Sequence, residues 1–139
     1  VSAANAAAMM CSMQNVRMDM MCYYDARISQ SVYAGLFNPI SYEPFCAYYV
    51  FKAFGKLYTL GTQVPCQWDN DGIYAVAATG EAGNAIMLTN ITEEAVSVEC
   101  PQAQGMTVQL IDENHMMTEE PWDPASFTLG AYQTVLLYK

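Results

Sequence analysis

Basic residues are scarce in this chain. Its 139 residues carry five Lys and Arg against fourteen Asp and Glu, for a formal net charge of −9. No Lys or Arg occurs between Leu57 and Tyr138, a stretch that holds eleven of the fourteen acids. So few cations leave no electrostatic footprint for nucleic acid and no basic patch for an anionic membrane surface; neither partner is expected. Histidine occurs once, at His115, and no two of the five cysteines have C-x-x-C spacing. A metal centre is therefore not expected, and no motif asks for a cofactor. No uncharged apolar run reaches about 18 residues, so a membrane-spanning helix is not expected either. The opening Val1–Met10 is apolar but lacks the basic start of a signal peptide.

Apolar residues are plentiful. At 53% of the chain they exclude a disordered polymer. The length suits one domain, or one small domain with an added piece. Cysteines stand at 11, 22, 46, 66 and 100, an odd number. Their plain reading is as small buried hydrophobes. A Cys66–Cys100 bridge stays open, because spacing does not settle connectivity.

The chain changes character near Gly61. Ala, Met, Tyr and Phe dominate before it; short runs of Val, Ile, Leu, Thr and Tyr between Gly, Asn, Asp and Pro clusters follow. This predicts a helical segment over 1–61 and an all-β domain over 62–139. Ser2–Met18 is rich in Ala and Met without Gly or Pro, which predicts a helix with Ser2 as N-cap and Ala6, Met9, Met10, Met13 and Val16 on its apolar side. Met20–Tyr24, closed by Asp25, fits a short strand buried on both faces. Residues 26–43 read as a loop. A second helix is expected from Pro44 to Leu60, with Ala47, Val50, Phe51, Phe54, Leu57 and Tyr58 at helical spacing and Gly61 ending it. Gly55 inside that helix implies a close helix contact. Eight strands are expected near 62–68, 73–79, 85–90, 94–99, 106–112, 115–119, 126–129 and 132–138, with hairpin links at Gly80–Asn84 and Asn90–Glu93. The fold class is thus mainly β: an antiparallel β-sandwich of about eight strands, preceded by two helices and a short strand. Helix, buried strand and helix form an αβα unit whose single strand has no parallel neighbour.

Two stretches bear on that unit. Cys22-Tyr23-Tyr24-Asp25-Ala26-Arg27 is followed by Ser31-Val32-Tyr33-Ala34-Gly35-Leu36-Phe37-Asn38, Glu43-Pro44, Tyr48 to Phe54, and Leu57-Tyr58-Thr59-Leu60-Gly61. This succession resembles the C-terminal part of bacterial (β/α)8 glycoside hydrolases of the β-xylosidase and α-L-iduronidase type. In those enzymes it forms the eighth barrel strand and last barrel helix, and a small β-sandwich completes the chain. The resemblance implies that residues 2–18 correspond to the seventh barrel helix. It also implies that both catalytic carboxylates, at the ends of the fourth and seventh strands, lie upstream of Val1, so no catalytic residue is expected here. Tyr24, Asp25 and Arg27 would then border the sugar in a complete barrel; the competing reading has Asp25 and Arg27 only holding the loop.

The remaining candidates carry less chemistry. Glu93-Glu94, Asp112-Glu113 and Glu119-Glu120 are adjacent pairs, which point to opposite faces of a strand and do not converge as glycosidase carboxylates must. They are expected to be solvated loop acids. Asp69-Asn70-Asp71-Gly72 has the outline of a calcium loop, but the twelve-residue pattern requires a final Glu where Gly80 stands. Asn90-Ile91-Thr92 matches a glycosylation acceptor. Trp68, Tyr74, Trp122 and Tyr132 suit either a sugar-stacking platform or core packing. His115 reads as an ordinary strand residue. The expected function is that of a C-terminal accessory sandwich domain supporting a glycoside hydrolase barrel; the alternative is a carbohydrate-binding module acting through the sandwich. The expected partners are the barrel of the parent chain, a polysaccharide or oligosaccharide, and a second copy through exposed helix faces. The setting would be a bacterial periplasm, exterior or cytoplasm.

Overall fold

A computed structural model describes residues 1–24, 26 and 35–139. The elements in order are α1 (Ser2–Met13), α2 (Cys46–Leu60), β1 (Thr62–Val64), β2 (Ile73–Gly80), β3 (Gly83–Asn90), β4 (Val96–Glu99), β5 (Thr107–Ile111), β6 (Met116–Glu120), β7 (Ser126–Leu129) and β8 (Thr134–Tyr138). The chain is mainly β, as its residue pattern predicts.

Six strands form one antiparallel sheet in the order β1-β2-β3-β8-β5-β6, and β4 and β7 form a second, two-stranded sheet. The large sheet is covered on both sides. On one face Val76, Ala78, Ala85, Met87, Ile111 and Leu136 pack with the two helices. On the other, Ala75, Leu88, Val108, Val135 and Leu137 pack with Val98, Phe127 and Leu129 of the small sheet. Three layers result: helices, large sheet, small sheet. Burial on both faces explains why β2, β3 and β8 read as nearly continuous apolar runs rather than as alternating ones. The hairpin predicted at Gly80–Asn84 is present, with Gly80 opposite Gly83. A Cβ on Gly80 would strike the backbone carbonyl of Leu60, so the end of α2 rests directly on this turn.

α1 lies close to the sheet because its buried face is made of small residues. Ala4, Ala7, Ala8 and Cys11 follow the i, i+3, i+4, i+7 rule and are all buried. This differs from the expected stripe: Met10 is buried, but Met9 is 52% exposed. Small side chains let the backbone approach the sheet, and the Thr89 hydroxyl on β3 donates to the Ala4 carbonyl at 3.4 Å. The helix also stops at Met13 rather than Met18, two residues after Cys11, the last buried residue of this face; Gln14 folds back to donate to the Met10 carbonyl at 3.1 Å.

α2 begins at Cys46, with Pro44 held two residues earlier in a bridge to Phe37. It ends as expected at Gly61, whose φ of 88° lies in the left-handed region that glycine adopts freely. Gly55 makes no close contact: a Cβ there meets open space. The expected strand at 20–25 is not formed over its described residues, 20–24, most of which are exposed. A lone strand without a parallel neighbour has nowhere to place its ladder hydrogen bonds. β1 stops at Val64 because Pro65 cannot donate to the ladder. Asn90–Glu93 is not a hairpin link, since β3 and β4 belong to different sheets; it is the corner by which the chain crosses between them.

Candidate functional site

Of the three residues placed near a sugar by resemblance, Tyr24 is 66% exposed in the segment between the helices. Asp25 and Arg27 lie outside the described residues. The acid pairs do not converge. On β6 the Glu119 carboxylate accepts from the Tyr138 hydroxyl at 3.0 Å, while Glu120 faces His115 at 3.7 Å.

Asp112 is not a solvated loop acid. Its Oδ1 accepts from the backbone amides of Asn114 (2.8 Å) and His115 (2.9 Å) and from the His115 ring at 2.7 Å. A carboxylate only accepts, so Nδ1 of His115 carries the proton. Its Oδ2 accepts from Gln133 Nε2 at 2.7 Å, and Gln133 Oε1 in turn accepts from the Gly130 amide at 2.7 Å. The Cys46 thiol at the start of α2 donates to the Asp112 carbonyl at 3.0 Å. One side chain therefore joins the β5–β6 turn, the β7–β8 turn and, through its backbone, α2. Burial raises the carboxyl pKa, but the Asn114 amide and the His115 and Gln133 hydrogen bonds outweigh it and hold the pKa below its ordinary value. The sequence carried no signal for this network, because its partners are 21 and 66 residues away.

Asn90 is the second hub, and it is fully buried. Its Nδ2 donates to the carbonyls of Glu94 (2.7 Å), Gly130 (3.0 Å) and Leu129 (3.3 Å). Its Oδ1 accepts from the Thr92 hydroxyl and amide at 2.8 and 2.9 Å. The sequon is thus used internally: the asparagine builds the corner between the sheets and offers no nitrogen to a glycan. Asp69–Gly72 is a plain turn closed by Gly72 donating to Asn70 Oδ1 at 2.8 Å. No group of three or more potential metal ligands occurs among the described residues.

The four aromatics do not form one platform. Trp122 stacks on Phe127 at 5.9 Å and packs against the core between the sheets. Tyr132 sits in the β7–β8 turn, its hydroxyl 3.5 Å from Glu93. Trp68 and Tyr74 are neighbours, 6.4 Å between ring centroids. Trp68 also lines a cleft of about 690 Å³, which opens between the large sheet and β4. Apolar side chains of β2 and β3, such as Ala75, Ala77, Ile86 and Leu88, form its floor. Gln67, Asp69, Asn70, Ser97, Glu99 and Gln102 supply its polar lining. Cys66 and Cys100 line it as free thiols, and burial raises the pKa of Cys66. Asp69 and Glu99 are the charged residues of this cleft, which has no Lys or Arg in its lining.

Residues 70–137 match the family model described as the C-terminal immunoglobulin-like domain of D-apionate lactonase. No curated protein sequence matches the chain. Among solved structures, the chain is similar to a glycoside hydrolase family 30 subfamily 8 xylanase from Clostridium acetobutylicum. The superposition has a TM-score of 0.77 at 16% identity and covers 99% of this chain and 38% of the xylanase. It is also similar to a family 30 endoxylanase from Clostridium papyrosolvens C71, with a TM-score of 0.56 at 21% identity over 73% of this chain and 29% of that one. At such identity these likenesses are likenesses of fold, and the chain spans well under half of either enzyme. They name glycoside hydrolases, as the resemblance in residues 22–61 does, but of family 30 rather than of the β-xylosidase and α-L-iduronidase type.

Proposed function

We propose that residues 1–139 serve as a C-terminal accessory domain of a glycoside hydrolase, whose catalytic barrel rests on the helix layer. The observation that carries this reading is where apolar surface remains. Of fourteen large apolar side chains left exposed among the described residues, eleven lie before Gly61; Val64, Trp68 and Met116 are the other three. Met9 on α1, Phe45 at the start of α2, Tyr58 near its end, and Met18, Met20, Met21, Ile40 and Tyr42 between the helices belong to this set. Among its large apolar side chains the sandwich leaves only Val64, Trp68 and Met116 exposed, whereas the helix layer and its connecting segment leave many uncovered. Exposed apolar side chains concentrated in one part of a chain suit an interaction site. The similarity of residues 70–137 to a C-terminal domain, and of 99% and 73% of the chain to parts of two xylanases, supports the same reading. The adjacent acids, which do not converge, support the view that the carboxylates of catalysis belong to the barrel.

The test is expression of the parent open reading frame with and without residues 1–139. The reading expects the barrel to lose activity and thermal stability when these residues are removed, and the 139-residue chain alone to leave nitrophenyl glycosides intact. A barrel that keeps its activity and melting temperature without them contradicts it. Self-association of the isolated chain, seen as a concentration-dependent dimer, is the expected behaviour of the same face when the barrel is missing. A second reading, a carbohydrate-binding module, is favoured by one observation: an exposed tryptophan at the cleft between the sheets.

A further inference from the structure

We infer that the cleft between β4 and the β2–β3 floor binds a neutral oligosaccharide, one sugar ring of which stacks on Trp68; this rests on the binding-module reading and gives it a site. Three features of the cleft select the ligand. First, Trp68 is 39% exposed and lies tilted beside Tyr74, whereas Trp122 is stacked on Phe127 and packed against the core. An indole face left open beside a cleft suits the C–H face of a pyranose, which is flat, apolar and large enough to cover it. Second, the polar lining consists chiefly of uncharged groups that both donate and accept. Asn70 uses Oδ1 to close its turn, which leaves Nδ2 for a ligand. Gln102 receives only the distant Cys100 thiol, at 4.0 Å on Oε1, and so keeps its Nε2 donors. Gln67 and Ser97 add further carboxamide and hydroxyl groups. Sugar hydroxyls are matched by such mixed donor–acceptor sets. Third, Asp69 and Glu99 are the charges in the lining, and no cation offsets them. This repels uronates, phosphates and sulfated glycans, and it leaves neutral sugars. The small floor residues Ala75 and Ala77 keep the cleft deep enough for a ring rather than a single hydroxyl.

The experiment uses the 139-residue chain with Trp122→Phe, so that Trp68 is the sole tryptophan reporter. Xylohexaose and cellohexaose are titrated to 10 mM, with an oligogalacturonate of similar length as the anionic arm. The inference expects a saturable change in Trp68 emission with a neutral oligosaccharide and none with the oligogalacturonate. It also expects Trp68→Ala, followed by calorimetry in the otherwise unchanged chain, to weaken binding about tenfold or more. Because Trp68 lies at the rim, its variant should keep the wild-type melting curve, and Gln102→Ala should weaken binding several-fold as an independent check. Undiminished binding by Trp68→Ala overturns the site while sparing the binding-module reading. Equal binding of the anionic oligomer overturns the assigned ligand class. Absence of any binding by the unchanged chain overturns both the site and the binding-module reading, and leaves the docking of the helix layer to its own test.

Discussion

Replacing Asn90 by Ala removes five hydrogen bonds at one fully buried corner. Two of the groups left behind keep other partners: the Glu94 carbonyl still accepts from the Thr92 hydroxyl, and the Gly130 carbonyl from the Gln133 amide. Those two losses are ordinary net hydrogen bonds of about 1 kcal/mol each. The Leu129 contact is the most buried of the set, and the Thr92 amide loses the Asn90 Oδ1 to which it donates. Each of these is a loss at a buried or half-buried group, about 1–3 kcal/mol. The sum, allowing for one water entering the vacated space, is about 3–5 kcal/mol, a large share of the stability of a small domain. Asn90→Asp should cost as much or more, since a carboxylate replaces the amide that donates to three carbonyls. Urea unfolding followed by tryptophan emission gives the value, with the shift in midpoint read at constant slope. A loss below about 1 kcal/mol for Asn90→Ala would refute the reasoning, because it would mean that the corner between the sheets stands without its asparagine.

Gly55→Ala should stabilise the chain by about 0.5–1 kcal/mol, since the added methyl meets open space and the helix gains propensity; a lower urea midpoint would contradict the open position. Cys11, whose pKa burial pushes up to about 12, should resist iodoacetamide at pH 8 in the folded chain while exposed Cys22 reacts, as peptide mass mapping would read. The Asp112 carboxyl has a folded pKa below its unfolded value, so its contribution is present above about pH 4 and fades as pH falls through the folded value. The stability difference between wild type and Asp112→Asn should therefore be flat from pH 7 to 5 and shrink below pH 4; a difference that grows on acidification would reverse the sign.

The strands were legible because their information is local. Eight apolar runs separated by Gly, Asn, Asp and Pro give eight strands within a few residues of their expected limits; the second helix has its glycine stop and buries Ala47, Val50 and Leu57 of its expected stripe, whereas Tyr58 is 80% exposed and Ala53 is buried in addition. What could not be read is what depends on distant partners. The expected stripe of α1 holds at Ala6 and Met10, which are buried, but not at exposed Met9 and Val16, because close packing on a sheet favours the small Ala4, Ala7 and Ala8. The segment before Asp25 reads as a strand by composition alone, but a strand exists only with a neighbour to pair. Asn90 looked like a modification signal and Asp112 like a solvated acid; both are hubs because of carbonyls and amides brought to them by folding. Trp68 and Trp122 look alike in sequence; folding stacks Trp122 on Phe127 against the core and leaves Trp68 exposed beside the cleft.

The central claim, that the helix layer is the surface on which a catalytic barrel rests, is tested most directly by charging that surface. Met9 and Tyr58 are 52% and 80% exposed, so Met9→Glu with Tyr58→Glu should alter the isolated chain by no more than about 0.5 kcal/mol each. In the parent enzyme the same pair would bury two carboxylates without partners, a cost of several kcal/mol. Differential scanning calorimetry of both should show the isolated chain melting within a few degrees of wild type, while the parent loses about 5 °C or more, with lower activity at elevated temperature. A parent enzyme whose melting and activity are unmoved by the two glutamates would contradict the account.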